Sequence, residues 1–250
     1  MTPAEAVRGV AGPIGRLGGE WMFDEATNER GAELGLSRWS WYHCGRGGVL
    51  GDCDASVVVA AFGFFPPVLQ GRAWEKGRAV LPVATITHEY AGACASWGRR
   101  AFADAPGAGR LADLLTTALD AASVAGLPLF AGWRALAHAA ARAAGGQLDD
   151  AGRLALALQV GREHRGGLHL VAVAAAGIEP LQAVVSGRYG TANAAFFGWP
   201  EPWPDPAAGK DAMAAVEAVT DRLVEPAYAA LAPGERAELV TGMRALVVRR

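Results

Sequence analysis

The chain contains 250 residues, of which 52% are hydrophobic and 19% are charged, and its formal net charge is −2 at pH 7. An intrinsically disordered chain is excluded, because this apolar fraction can bury a core large enough to offset the entropy of folding. The near-zero charge gives no general attraction to polyanions, so the composition predicts neither nucleic acid nor a membrane surface as a partner.

Features typical of secreted and membrane proteins are missing from the sequence. Met1–Glu5 has no cationic stretch leading into an apolar core, and the most apolar run, Leu168–Ile178, has eleven residues. A bilayer-spanning helix needs about twenty. Cys44, Cys53 and Cys94 are odd in number, lie far apart and form no C-x-x-C pair, which disfavours a disulfide framework and a zinc or redox site. The sequence predicts a cytoplasmic protein.

The N-terminal segment predicts a helix. Thr2–Glu5 combines an N-cap, a proline at the first helical position and the glutamate of a capping box. Apolar residues from Val7 to Leu17 follow at helical spacing. Gly12-Pro13 is expected to kink or end this helix, because a proline removes a backbone donor.

Helical periodicity also dominates the rest of the chain. Alternating β-branched runs are scarce, and Val80–Thr87 is only a weak strand candidate. The predicted fold class is all-α, a compact multi-helix bundle, and a similarity between the segments beginning at Gly45 and Gly187 leaves open whether it has two pseudo-repeated helical halves. The predicted helices cover Ala55–Phe65, Arg110–Ser123, Leu127–Ala144, Asp149–His164, Leu168–Ala176, Pro180–Ser186, Asp211–Leu231 and Glu235–Val248.

A proline-rich strip interrupts the helical pattern. Four prolines occupy alternate positions from Pro200 to Pro206, which forbids a helix and favours extended backbone. Trp199 and Trp203 are expected to pin the strip to the body. We therefore predict a helical core domain over 1–198, a Pro-rich strip over 199–209, and C-terminal helices over 210–250 packed on the core.

The densest polar cluster is the segment from Arg162 to His169. It places Glu163, His164, Arg165 and His169 between a helix and an apolar run. An imidazole can exchange a proton while a neighbouring guanidinium holds a carboxylate, phosphate or enolate oxygen. In an unbroken helix His164 would point about 140° from His169, whereas a break at Gly166-Gly167 would turn both toward one cleft. The alternative is an ordinary helix C-terminus, where glycine ends the helix and cations complement its dipole.

A second cluster runs from Trp39 to Arg46. On a helix, Tyr42 and Arg46 share one face, and Trp39 and His43 share another. Aromatic residues beside an arginine are typical of a pocket for an anionic or planar small molecule, with Tyr42 as a proton donor or hydrogen-bond anchor. Alternatively, the tryptophans fill the core and Arg46 caps a helix. The side chains expected to form the apolar wall are Trp39, Trp41, Phe62 and Phe65.

The remaining polar residues give weaker signals. His88 and Glu89 are either an acid/base pair or part of a surface helix, and His138 reads as a packing histidine in an Ala-rich helix. A metal site built from histidines 43, 164 and 169 with Glu163 lacks any recognised spacing. There is no P-loop, dinucleotide-binding fingerprint or G-x-S-x-G elbow. We therefore predict no metal and no nucleotide cofactor.

Several stretches, taken in order, resemble an actinobacterial family that usually carries a helix-turn-helix label and often lies near antibiotic gene clusters. The resemblance implies a mostly α-helical body with the Glu-His-Arg-Gly…His stretch as its most characteristic polar segment, and it implies no known reaction. The stretches are Leu34-Gly35-Leu36 through Tyr42 to Arg46 and Leu50-Gly51, Val57–Phe65, Gly126–Phe130, Arg162–Gly166 with His169, and Thr220–Leu223 with Pro226.

Two departures from that family pattern stand out. The family has an acidic residue before a glycine where this chain has Gly167-Leu168, so a role for that carboxylate is absent here. The family's winged helix would fall in Pro200–Val219, which is too short for two helices and a wing and holds one cation, Lys210. We therefore expect this chain to have lost DNA binding.

The leading hypothesis is a cofactor-independent enzyme of bacterial specialised (antibiotic) metabolism that performs a cyclisation, elimination or isomerisation. The alternatives are a non-catalytic small-molecule-binding protein and a transcription-regulator relative without its DNA-binding segment. A homodimer would suit the Ala-rich amphipathic helices. The enzyme hypothesis requires the polar groups to converge on one enclosed hollow. Its proton-transfer candidates are His164 and His169, its oxyanion-binding residues are Arg46 and Arg165, and Tyr42 and Glu163 complete the substrate site.

Overall fold

The computed structural model describes residues 1–143 and 148–248, and over these residues the chain is helical and contains no strand. Ala144, the predicted end of one helix, lies outside the described residues. The α-helices are α1 (Pro3–Glu20), α2 (Glu25–Glu33), α3 (Arg38–Gly47), α4 (Ala55–Phe62), α5 (Pro67–Arg78), α6 (Val83–Ala101), α7 (Ala108–Asp120), α8 (Pro128–Ala143), α9 (Asp150–Ala175), α10 (Pro180–Ser186), α11 (Gly190–Phe197), α12 (Lys210–Tyr228) and α13 (Pro233–Val248). The all-α prediction is confirmed.

Side-chain caps fix where several helices begin. Thr2 closes the predicted capping box with Glu5 at the start of α1. Ser37 accepts a hydrogen bond from the Ser40 amide and starts α3, and Asp149 accepts one from the Gly152 amide and starts α9. Each cap satisfies a backbone donor that the first turn of a helix leaves unpaired. The two helices that carry the candidate site therefore have well-defined starting points.

Gly12-Pro13 was expected to kink or end its helix, and the helix does not end there; the weak strand candidate is wrong. Helix α1 continues through Pro13 to Glu20, because its apolar face from Val7 to Leu17 is buried and offsets the one hydrogen bond that the proline removes. The weak strand candidate Val80–Thr87 instead leads into α6, which begins at Val83 and in which Val83, Ile86 and Thr87 recur at helical spacing and are buried.

The predicted break at Gly166-Gly167 is also wrong. Helix α9 runs without interruption for 26 residues, from Asp150 to Ala175. A Cβ atom at Gly167 would lie 2.9 Å from Cδ2 of Leu127, whereas one at Gly166 would meet nothing within 4 Å. Gly167 therefore allows the segment entering α8 to approach α9 closely, and it does not end the helix.

Helix α9 is the centre of the bundle. It packs against α1, α6, α7, α8 and α12, while α3 packs against α5 and α6, and α13 lies against α1. A large apolar core joins α1 and α3 to α6–α9, and smaller clusters join α10–α12 to Phe64. Gln159, Glu163 and His164 of α9 are buried, so these polar side chains need partners inside the protein.

The proline-rich strip is held to the body by its tryptophans. The Trp199 indole N–H donates to the carbonyl oxygen of Phe64 at 3.0 Å, and the Trp203 indole donates to the Trp199 carbonyl at 3.0 Å. Both indole rings also pack against the apolar cluster of α10 and α11. In the described residues no single helix has the length and apolarity to cross a membrane, although the bent pair α9–α10 does by length and composition.

Candidate functional site

A buried ion pair joins α3 to α9. Arg46 donates through Nε and Nη2 to the two carboxylate oxygens of Glu163, at 2.6 and 2.9 Å. Its Nη1 donates to the Tyr42 hydroxyl at 3.1 Å, and Gln159 Nε2 donates to Glu163 at 2.7 Å. The two sequence clusters therefore meet through Arg46, Tyr42 and Glu163, because i, i+4 spacing places Tyr42 beside Arg46 and Gln159 beside Glu163.

Both members of the pair are charged at neutral pH. Burial opposes the guanidinium charge, but the Glu163 carboxylate and Tyr42 outweigh it and raise the pKa of Arg46. Burial likewise opposes the carboxylate charge, but Arg46 outweighs it and lowers the pKa of Glu163. The Glu163 side chain is 1% exposed and that of Arg46 is 10% exposed. Only the arginine end of the pair therefore reaches toward solvent.

Aromatic rings lie beside Arg46 and its hydrogen-bond partner Tyr42. The Phe62 ring lies 4.2 Å from the Arg46 guanidinium carbon, a cation–π distance. Outside it lies a connected set of rings, which we name the aromatic cluster and which consists of Phe23, Trp39, Tyr42, Phe65, Phe196 and Phe197. Phe23 is 42% exposed and Phe196 is 40% exposed. The cluster thus extends from the buried ion pair to the surface.

His43 lies within this aromatic environment. Its ring centroid is 4.9 Å from that of Phe65, 5.2 Å from that of Phe62 and 5.9 Å from that of Trp39. Burial, with a smaller contribution from the charge of Arg46, lowers the pKa of His43 to about 3. Its Nδ1 atom is buried and has no hydrogen-bond partner among the described residues. A neutral imidazole with a free ring nitrogen therefore faces the rings.

Two further buried polar atoms near the ion pair lack hydrogen-bond partners within the described part of the chain: the hydroxyl of Tyr90 and Oε1 of Gln159. Gln159 is already bound to Glu163 through its amide nitrogen. Arg46 and Arg162 act electrostatically on the Tyr90 hydroxyl, but burial dominates and raises its pKa. Buried polar groups are usually satisfied, so these two atoms are exceptions in the described structure. The sequence analysis did not identify either as a site residue.

Tyr42 and Arg46 do not lie beside His164 and His169. Arg165 binds Asp221 at 2.7 Å and Glu217 at 2.6 Å, both on α12, and His169 Nδ1 lies 3.2 Å from the Thr220 hydroxyl. The expected convergence of His164, His169 and Arg165 with Tyr42 and Arg46 is therefore not found. The physical reason is the unbroken helix α9, which keeps its side chains on separate faces.

His164 and Trp41 also face away from the aromatic cluster. The His164 ring lies 4.7 Å from the Phe130 ring on α8. Burial, helped by Arg134, lowers the pKa of His164 to about 4. The Trp41 ring packs edge-on against Tyr90 at 4.9 Å. Trp41 is therefore a core residue in this fold, in line with the alternative given for the tryptophans, and is not part of a pocket wall with Trp39.

Two surface clefts lie elsewhere on the bundle. One of about 540 Å³ between α2 and α6 is lined by Arg30, His88 and Glu89 among others, and Arg30 pairs with Glu89 at 2.9 Å. Another of about 230 Å³ contains His138, which lies 2.8 Å from Asp120. Among the described residues no three His, Cys, Asp or Glu side chains are grouped to hold a metal.

Comparisons with known proteins identify one family. A family model described as a helix-turn-helix family matches residues 7–249. No curated protein and no solved structure shows significant similarity to the chain.

Proposed function

This chain belongs to the helix-turn-helix family, and we propose that it is a small-molecule-binding protein whose ligand lies against the aromatic cluster. The observation that supports this most is the position of the Arg46–Glu163 pair at the inner end of partly exposed rings. A specific ligand site typically combines apolar walls with a few fixed polar groups. Here the rings supply the walls, and Tyr42 with Arg46 supplies the polar groups.

The exposed rings give the first argument. Phe23 comes from the short 3₁₀ turn after α1, Trp39 from α3 and Phe196 from α11, yet their rings are in contact. Contiguous exposed aromatic surface is unfavourable in water, and on a folded protein it usually marks an interaction site. Flat rings inclined to one another favour a planar or aromatic ligand.

The unused hydrogen-bonding capacity of Tyr42 and His43 also supports a ligand site. The Tyr42 hydroxyl accepts a hydrogen bond from Arg46, which leaves its own proton free to donate. His43 Nδ1 is also unpartnered in the described structure. We propose that a ligand hydroxyl, carbonyl or carboxylate accepts the Tyr42 proton. Since Glu163 neutralises Arg46, the arginine orients Tyr42 more than it supplies net charge.

Binding fits this site better than acid–base catalysis. An efficient general base has a pKa near the working pH, whereas the pKa values of His43 and His164 are lowered to about 3 and 4. His169 is engaged with α12. The enzyme of actinobacterial antibiotic metabolism that the sequence analysis favours stays a prediction.

The proposal is tested with planar aromatic probes, 2-naphthoate and 2-naphthol, by calorimetry and tryptophan fluorescence. We expect saturable one-to-one binding that Trp39→Ala and Phe196→Ala each weaken at least about tenfold, the scale of one lost aromatic contact and its buried area. Val124→Ala, at an exposed site outside the cluster, is the matched control and should bind normally. No saturable binding, or equal loss in the control, contradicts the proposal. Mass spectrometry of the recovered probe detects any conversion.

Nucleic-acid binding is the second candidate, because α9 and α10 meet at a bend of 113° across a short turn that contains Gly177. This matches the angle and turn of a helix-turn-helix. However, α10 has no Lys or Arg, and its Gln182 and Ser186 side chains bind the backbone of residues 205 and 206. Salt-dependent binding to random-sequence duplex DNA, measured by fluorescence anisotropy, would support this candidate.

A further inference from the structure

The outer rings of the aromatic cluster already contact a cation, the exposed guanidinium of Arg38. Its carbon Cζ lies 5.3 Å from the ring centroid of Phe23, 5.6 Å from that of Phe196 and 5.9 Å from that of Trp39. All three distances are within the range of an energetically meaningful cation–π contact, about 6 Å. Arg38 thus contacts three rings, whereas Arg46 contacts two, those of Tyr42 and Phe62.

The three rings present themselves to the guanidinium at different inclinations. The planes of Phe23 and Phe196 are inclined by 76°, and those of Trp39 and Phe196 by 66°. These pairs are in edge-to-face contact, with centroids 5.4 and 5.5 Å apart, so one group placed against Phe196 can contact all three rings at once. Because ring faces carry a negative quadrupole, a cage of this kind attracts a cation, and quaternary ammonium groups are its characteristic ligands.

We propose that Phe23, Trp39 and Phe196 form a binding cage for an alkylated ammonium group of the ligand, and that Arg38 occupies the cage as an internal competitor. This inference rests on the proposed function, because the cage is the outer part of the aromatic cluster. It specifies the ligand class as a molecule with a quaternary or alkylated amine and an apolar or aromatic body.

The surroundings of Arg38 make it displaceable. Arg38 is exposed and takes part in no ion pair among the described residues, unlike Arg30, Arg99, Arg100 and Arg110 on other surfaces. No carboxylate in the described structure therefore holds the guanidinium in place. The rings themselves are fixed by contacts that do not involve Arg38, including Trp39 with Phe65 and Phe196 with Phe197.

The inner ion pair does not oppose a ligand cation. Glu163 neutralises Arg46 through two hydrogen bonds, so Arg46 itself adds little net charge at the interior end of the aromatic cluster. The second arginine at this carboxylate, Arg162, lies 3.4 Å from Glu163 and is partly exposed, so solvent screens its charge. The cage and the Tyr42 hydroxyl can thus bind a cationic end and a hydrogen-bond acceptor of the same molecule.

The test compares benzyltrimethylammonium with its neutral isostere neopentylbenzene, both titrated into the full chain and followed by tryptophan fluorescence and calorimetry. If Arg38 fills the cage about nine-tenths of the time, its removal raises the apparent affinity about tenfold. We therefore expect Arg38→Ala to bind the ammonium about tenfold more tightly than the unaltered chain. Arg38→Lys, which keeps an internal cation, should remain close to the unaltered chain.

Two outcomes overturn the cage. One is Arg38→Ala binding the ammonium no more tightly than the unaltered chain, and the other is equal affinity for the ammonium and its neutral isostere. Addition of Phe196→Ala to Arg38→Ala should abolish the preference, with circular dichroism confirming the fold. If 2-naphthol still binds while the ammonium preference is missing, only the cage is wrong. If neither probe binds, the proposed function fails as well.

Discussion

Arg46 on α3 and Glu163 on α9 form a two-hydrogen-bond ion pair across 117 positions of the sequence. The pair is buried and joins α3, which carries Tyr42, to the central helix. Burying two charges is expensive, and such a pair compensates for its desolvation only when its geometry is good and the remaining atoms are hydrogen-bonded. Tyr42 and Gln159 supply those additional bonds.

Glu163→Gln should strongly destabilise the fold. The substitution keeps the shape of the side chain but leaves the Arg46 guanidinium buried without a counter-charge, which costs about 3–5 kcal/mol. Urea denaturation measures the change in the free energy of unfolding. The double variant Arg46→Met, Glu163→Leu is the control, since it removes both charges and should recover most of the loss. A loss below about 1 kcal/mol in Glu163→Gln would show that the pair is not buried as described.

Acid should destabilise the protein through its buried histidines. Burial lowers the pKa of His43 to about 3 and that of His164 to about 4, while an unfolded histidine titrates near about 6.5. The unfolded state therefore binds more protons below about pH 6.5, and stability falls as the pH drops toward the folded-state values. Each histidine should contribute a slope of up to about 1.4 kcal/mol per pH unit.

The measurement is the free energy of unfolding in urea at several pH values between 7 and 4.5. Replacing both histidines, His43→Phe with His164→Phe, should flatten this profile, because neither side chain then titrates. An unchanged slope in the double variant would contradict the assignment of these two histidines as neutral, buried groups.

Two helical glycines should respond in opposite directions to alanine. A Cβ atom at Gly45 would lie 2.3 Å from Cγ of the Tyr90 ring, whereas Gly166 has nothing within 4 Å. Gly45→Ala should therefore cost about 1–3 kcal/mol through overpacking. Gly166→Ala should stabilise α9 by about 0.5–1 kcal/mol, because alanine is the better helix former. Thermal unfolding distinguishes the two, and a stabilising Gly45→Ala would exclude the close contact between α3 and α6.

Ligand affinity should depend on Tyr42 and not on Arg165 or His169. Tyr42→Phe removes the hydroxyl that we propose donates to the ligand, so 2-naphthoate affinity should fall about two- to tenfold, the range for one net hydrogen bond. Arg165→Gln and His169→Gln should leave that affinity unchanged, since their side chains face α12. A larger effect from His169→Gln than from Tyr42→Phe would favour the enzyme hypothesis of the sequence analysis.

Local signals explain which parts of the structure were predictable. The Thr2 capping box and the all-α class follow from residue spacing alone, and the i, i+4 relation of Tyr42 and Arg46 holds in α3. The role of Gly167 could not be predicted from nearby residues. A glycine that ends a helix and a glycine that allows another segment to pack closely look the same in a sequence. Its neighbour, Leu127, is forty residues away.

The aromatic cluster was predictable only in part for the same reason. Trp39 lies three residues before Tyr42, and the apolar wall expected beside Tyr42 also included Phe62 and Phe65, which follow it by 20 and 23 positions. Phe196 joins them from α11 through the tertiary fold, and no local period indicates that contact. The sequence predicts that His43 and Trp39 share a helix face. It does not predict that His43 Nδ1 lacks a partner, because that depends on which rings surround it in the tertiary fold.

The hydrogen bond from the Trp199 indole to the Phe64 carbonyl should allow ligand binding at the rings to be detected in the proline-rich strip. Because Trp199 follows α11 directly, this bond ties the helix carrying Phe196 to the loop that carries Phe65. Immobilising Phe196 should therefore slow local opening of the whole strip, and amide hydrogen exchange should report it. Occupancy at the rings would then be visible as added protection at Trp203, which touches no part of the cage.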